Sequence, residues 1–188
     1  MPLPIIAPMY RIVCCVVLLG LGACSPALNW RQVALSELGL EASLPCKPEH
    51  RERPIELAGQ PAQVRMAGCS ADGATFALAC AVLEDPAQAG MALTHWRAAV
   101  LAALHAPAAP QPGAPQDQPF VPAGALAIAQ SVRTSAQGPQ PAGGSVALQA
   151  VWFARVQGSS VRACHAVVYG AQLRTQVADH FFGALVLQ

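Results

Sequence analysis

The sequence predicts an α+β domain: a mainly antiparallel sheet of about six or seven strands packed against two helices. Three observations carry this expectation. Short runs with apolar residues at alternate positions recur between turns rich in Gly, Asp and Pro. Two longer segments carry apolar residues at helical spacing instead. The order is strands, helix, strands, helix, with hairpins rather than alternating βαβ units, which favours antiparallel pairing.

The chain begins with a leader. Residues 12–23 carry no charge, and the run is well short of the roughly 20 apolar residues a helix needs to cross a bilayer. It has no polar face at helical spacing either, so it reads as the apolar part of a signal peptide over residues 1–23, with Arg11 as its positive flank. A start at Met9 would make that leader more compact. Leu21, Gly22, Ala23 and Cys24 at its exit resemble the lipobox of bacterial lipoproteins. The resemblance implies cleavage before Cys24 and diacylglycerol on its thiol; residues 24–39 then read as a tether with room for a short ordered piece, Trp30 packing on the domain. Ser25, in place of an aspartate, then implies sorting to the periplasmic face of the outer membrane. Several acyl chains on one residue would anchor stably where a single chain is marginal.

Residues 40–188 read as one domain. LEASLPCKP sets Leu40, Ala42, Leu44 and Cys46 on one face of a first strand stopped by Pro48, and EHRER follows as a charged turn. PIELAG and PAQVRMAGC are short strands about a Gly-bearing turn. SADG then turns the chain into ATFALACAVLED, where Phe76, Leu78, Cys80 and Val82 share a face. Asp85 before Pro86 is an N-cap followed by proline at the first helical position. Leu93, Trp96, Val100, Leu101 and Leu104 continue at helical spacing.

The Pro-rich stretch at 105–124 has no periodicity and predicts a stiff, exposed insertion. ALAIAQSVRTS, SVALQAVWFARVQG and SVRACHAVVYG predict three further strands. Gly143–Gly144–Ser145 reads as a turn, and Gly158–Ser159–Ser160 joins the last two strands. AQLRTQVADHFFGALVL closes the chain as a helix with Leu173, Val177, Phe181 and Leu185 in one stripe.

Composition narrows the function classes. From Cys24 onward the chain has 188 − 23 = 165 residues, enough for one domain with its own core. Of 11 Lys and Arg only Arg11 lies in the leader, so ten cations face the 10 Asp and Glu, and nucleic acid is not indicated as a partner. No HExxH pair or Cys/His zinc spacing occurs among the five histidines, so no metal or cofactor is predicted. Cys164 and His165 are adjacent, but neighbours on a strand point to opposite faces, which argues against a thiol–imidazole dyad. Glu84 and Asp85 suit a helix start better than an acid–base pair. Lys47, Arg51, Arg53 and Arg65, interleaved with Glu49, Glu52 and Glu56, read as solvated turn residues.

Cys46, Cys69, Cys80 and Cys164 survive removal of the leader, and in an oxidising compartment an even number suggests disulfides. If Cys69 faces Ala74 across the hairpin, Cys80 lies six residues further, roughly 20 Å away, too far to pair with Cys69. Cys46 and Cys69 both end strands next to turns, and Cys46–Cys69 is the expected pair. Cys69 is out of phase with Val64 and Met66, so this pairing is expected to need Gly68 to reset the strand as a bulge. Cys80 and Cys164 are expected as small buried core residues.

The opening strand ending in Leu44–Pro45, the helix with Trp96, the strand with Trp152 and the closing FFGALVL resemble the PsbP-like fold. The resemblance spans roughly residues 40–188, and the Pro-rich insertion departs from a compact version of that fold. It implies a domain that binds partners or assists assembly more often than it catalyses. The function expected is a non-catalytic lipid-anchored envelope protein presenting a periplasmic binding or assembly module, with the membrane and an envelope protein as partners. The competing expectation is a periplasmic enzyme with a dispersed site. A concavity with convergent polar groups of displaced ionisation would favour the enzyme, and an apolar groove would favour binding.

Overall fold

Strands β3 (Glu49–Leu57), β4 (Gln60–Ala71) and β5 (Ala74–Leu83) form a meander whose two turns, Ala58–Gly59 and Asp72–Gly73, have positive φ at both central residues. That is the two-residue hairpin geometry whose twist matches the strands. The computed structural model describes residues 27–140 and 143–188. Among them the fold is α+β, with two α-helices, α1 (Ala89–Ala103) and α2 (Thr175–Gly183), on a mainly antiparallel framework. The meander continues into β9 (Ser160–Gly170), β8 (Ser145–Gln157), β7 (Val132–Pro139) and β6 (Gln116–Pro119), giving a seven-stranded sheet in the order β3-β4-β5-β9-β8-β7-β6. A second sheet holds β1 (Arg31–Leu35), β2 (Leu40–Leu44) and β10 (Val186–Leu187), with β2 in the middle.

The large sheet is covered on both faces, which explains strands that are apolar at consecutive positions. Phe76, Leu78, Phe153, Ala166 and Val168 face the small sheet and α2, whose Leu40, Leu44, Phe181 and Phe182 complete that layer. Ala79, Ala81, Ala150, Trp152 and Ala163 face α1, which contributes Ala92, Leu93 and Trp96. The helix starts as expected: Asp85 accepts a hydrogen bond from the Ala87 amide at 2.9 Å and a 3₁₀ turn over Pro86–Gln88 precedes α1.

Several expectations need correction. EHRER is not a turn but the start of β3, an edge strand whose first six residues are all exposed. Such a strand shows no alternation because neither face is covered, and its charges and Pro54 are what protects an open edge from pairing. Residues 31–38 of the expected tether build β1 and its turn, with Leu35 and Leu38 fully buried, while Trp30 packs on the domain as expected, edge-on to Phe76 at 5.8 Å. The Pro-rich insertion is ordered at its end. Gln116–Pro119 is β6, paired with β7, while Pro122 is buried and Phe120 lies 6.4 Å from Phe182. Of ALAIAQSVRTS only the end, from Val132, is strand; Leu126 and Ile128 before it pack against the α1-side core. The closing helix stops at Gly183, after which Leu185 is buried and β10 joins β2.

Cys46 and Cys69 form a disulfide with Cα atoms 5.9 Å apart. No bulge is involved, because β4 keeps one register against both β3 and β5 through Gly68. Cys69 is out of phase with Val64 because it belongs to the other covered face: Val64 and Met66 pack toward α1, Ala67 and Cys69 toward α2. Cys69 pairs in register with Phe76 rather than Ala74. Cys80 and Cys164, expected as small buried core residues, are buried and also form a second disulfide. They sit directly opposite on β5 and β9 with Cα atoms 4.1 Å apart. Two disulfides fit an extracytoplasmic domain.

Candidate functional site

Helix α1 covers only part of its face of the large sheet, and Gly138 sets where it ends. A Cβ at Gly138 would stand 1.8 Å from the Leu104 carbonyl oxygen, so a glycine is required for the last turn to seat on β7. Beyond it the chain swings away at His105, whose φ is 53°. The sheet surface near the Asp72–Gly73 turn is left open as a trough.

The trough consists of two concavities that share Thr75 and Tyr169. The larger, about 730 Å³, lies between Leu104 and His105 at the end of α1, Pro139 and Val146 at the end of the β7–β8 hairpin, and Tyr169. The smaller, about 580 Å³, has Met66, Gly68 and Ala77 as its floor and Lys47, Glu49 and Arg51 on its rim, beside the Cys46–Cys69 bridge. Tyr169 is 42 % exposed although its strand neighbours Val168 and Gly170 are buried. Chemically this is a shallow surface with an apolar floor, an aromatic side chain at its centre, and cations and carboxylates at one edge. Arg51 and Glu49 on that edge pair with each other at 3.1 Å.

A buried polar network holds α1 in place. The Thr134 hydroxyl, fully buried, accepts from Trp152 Nε1 at 3.0 Å and from Arg97 Nε at 3.2 Å, and donates to Asp117 Oδ1 at 2.7 Å. Both lone pairs and the proton are used. Arg97 also pairs with Asp117 at 2.7 Å, so α1, β6, β7 and β8 meet at one threonine. On the opposite face Arg133 bonds Asp179 and Gln149 and stacks 5.1 Å over Phe182, tying α2 to β7 and β8.

Among the described residues two groups have displaced ionisation, and neither lines the trough. His165 is buried between Trp96, 4.6 Å away, and Trp152, 5.0 Å away. Burial, then the nearby Arg53 charge, lowers its pKa to about 3. Its Nδ1 has no hydrogen-bond partner. Arg162 lies at the far end of the sheet, directly opposite Arg155. Its pKa is lowered by burial, then by the charges of Arg65 and Arg155.

Cys24, the expected lipidation site, lies outside the described residues. Cys164 and His165 diverge: Cys164 is in a disulfide on the α2 side, and His165 faces Trp96 of α1. Lys47 and Arg51 come together at the trough, whereas Arg65 pairs with Glu52 at 2.8 Å and Arg53 faces the His165 side of the sheet. Among the described residues no three His, Cys, Asp or Glu side chains come together as a metal site. Tyr169, Thr75 and Thr134 were missed in sequence. Their only signal was polar residues inside otherwise apolar strands, a pattern shared with any solvated face.

Comparison with known proteins adds no kinship: no protein-family model, curated protein or solved structure matches the chain.

Proposed function

We propose that this chain is a non-catalytic envelope lipoprotein, acylated at Cys24, whose α+β domain presents the trough around Tyr169 as a binding or assembly surface at the periplasmic face of the outer membrane. The single observation that carries the binding role is the trough itself, an open surface with an apolar floor and a partly exposed tyrosine at its centre. Interface cores are enriched in such aromatics and surrounded by polar rims. The two groups with displaced ionisation stand apart from it and from each other, which argues against the convergent constellation an enzyme needs. The disulfides support the extracytoplasmic part of the reading, and the Leu-Gly-Ala-Cys junction supports the anchor.

The test is photocrosslinking in intact cells from a probe at position 169, with a probe at Val82, exposed near the other end of the sheet, as control. A discrete adduct from position 169 alone is the expected result. Identical adducts from both positions, or none from position 169, would overturn the trough as a binding surface. Fractionation of the same cells tests the outer-membrane assignment.

A further inference from the structure

We infer that the domain stands on the bilayer with one defined end down: the pole bearing the Asp72–Gly73 turn, the Gly143–Gly144 turn and the β9–α2 loop contacts the lipid surface. The inference rests on acylation at Cys24, proposed above.

Leu28 packs against the α2-side core, in a niche formed by Asp72, Phe76, Val168, Leu173 and Val177. The next residues are pinned as well, since the Asn29 amide donates to the Pro45 carbonyl at 2.9 Å and Trp30 meets Phe76 edge-on and the tilted His180 ring at 4.3 Å. Only four peptide steps separate Leu28 from Cys24. Whatever conformation they take, they span at most ~14 Å. An acylated Cys24 sits at the membrane surface, so the Leu28 niche lies within that distance of it.

The two ends of the large sheet are much further apart than this. Strand β4 runs 12 residues from the Ala58–Gly59 turn to the Asp72–Gly73 turn, about 36 Å at strand rise. Strands β8 and β9 are as long and place the Gly158–Ser159 turn at the same distal end. A tether of ~14 Å cannot let the domain turn that distal end to the bilayer. The near pole also carries surface suited to a headgroup layer: Tyr169, 42 % exposed, with Val146, Pro139 and Leu104 around it. Amphipathic rings such as tyrosine favour the interface between lipid and water. The trough lies at this same pole, on the α1 face of the sheet opposite the Leu28 niche.

The experiment uses the full acylated chain in vesicles of phosphatidylethanolamine and phosphatidylglycerol containing a nickel-chelating lipid. Nitroxide labels go on exposed positions at the near pole, Gln172→Cys and Ser145→Cys, and at the distal pole, Glu84→Cys and Ser159→Cys. Relaxation enhancement several-fold stronger at residues 172 and 145 than at 84 and 159 is expected. Equal enhancement at both poles, as for a domain lying on its side or tumbling, or stronger enhancement at the distal pole, overturns the orientation alone. If the wild-type chain fails to float with vesicles and behaves like Cys24→Ala, the anchor and the orientation both fall.

Discussion

The guanidinium of Arg162 lies on the backbone of Gly39, where a Cβ would stand 1.2 Å from its Nη1. Gly39 sits in the β1–β2 turn at φ +62°, so two independent constraints meet at one residue. The contact joins the small sheet to β9 of the large one. Gly39→Ala should destabilise the domain by about 1–2 kcal/mol from the backbone conformation alone, with a further cost for moving the arginine. In an Arg162→Ala background only the backbone part should remain. Urea denaturation of the four proteins in this cycle measures the difference; equal costs in both backgrounds would show that the guanidinium swings away freely.

Thr134 is a second point where several elements meet. Thr134→Val keeps the shape but leaves Trp152 Nε1 buried without an acceptor and removes one partner each from Arg97 and Asp117. A loss of about 1–3 kcal/mol is expected, the cost of an orphaned buried donor. Thr134→Ser retains the hydroxyl and should recover most of it. Denaturant midpoints of the two variants check this, and a loss in Thr134→Ser as large as that in Thr134→Val would show that the hydroxyl does not set the cost.

The proline-rich stretch separates into two parts with opposite expectations. Residues 108–112 are exposed, and Gly113 comes back to Pro107, a Cβ there standing 3.7 Å from the Pro107 ring. Excising 108–112 should therefore leave the thermal midpoint nearly unchanged. Removing residues 116–119 deletes β6 and Asp117, uncovering the β7 edge and breaking the Thr134 network. A cooperative loss of stability is expected from that deletion. Similar melting curves for the two deletions would refute the division.

The disulfides differ in exposure rather than in kind. Cys46 and Cys69 are partly exposed, whereas Cys80 and Cys164 are 4 % and 0 % exposed. Under native conditions a reductant with alkylation trapping should open Cys46–Cys69 first, and Cys80–Cys164 only as the domain unfolds globally. Closing 23 residues is worth about 3 kcal/mol in the chain-entropy model, and closing 84 about 4.5 kcal/mol. Non-reducing peptide mapping should return these two links. Simultaneous reduction of both would show that the buried pair is reached by local opening.

The parts of the fold legible in the sequence are those set by local chemistry. Asp85–Pro86 marks a helix start, Asp72–Gly73 and Gly158–Ser159 mark hairpins, and the alternation from Phe76 to Cys80 marks a strand, all without long-range information. What was hidden depends on partners distant in the chain. Strand β3 looked like a turn because an edge strand has no buried face to pattern it. Cys80–Cys164 depends on the pairing of β5 with β9, 84 residues apart in the chain at that pair, which no turn specifies. Cys69 seemed out of phase because one covered face was assumed where there are two. The trough was invisible for a related reason: it exists where α1 stops, and that depends on Gly138 of β7 meeting Leu104.

His165 should leave a pH signature. In the folded domain its pKa is lowered to about 3, from the ordinary value of 6.5. Between those values the unfolded chain binds a proton that the folded one refuses, so lowering the pH through this window favours unfolding. Above pH 6.5 the imidazole is neutral in both states and contributes no slope. The slope is at most about 1.4 kcal/mol per pH unit for one proton, and between pH 5 and 6.5 it stands largely clear of carboxylate titration. His165→Phe keeps a ring between Trp96 and Trp152, removes the unpartnered Nδ1, and should abolish this part of the slope with little loss of stability at neutral pH. Urea unfolding of both proteins at half-unit steps from pH 5 to 7.5 measures it. Parallel stability curves for wild type and variant would mean that the folded domain protonates His165 as readily as the unfolded chain does, and that the cage between the two tryptophans is open to water.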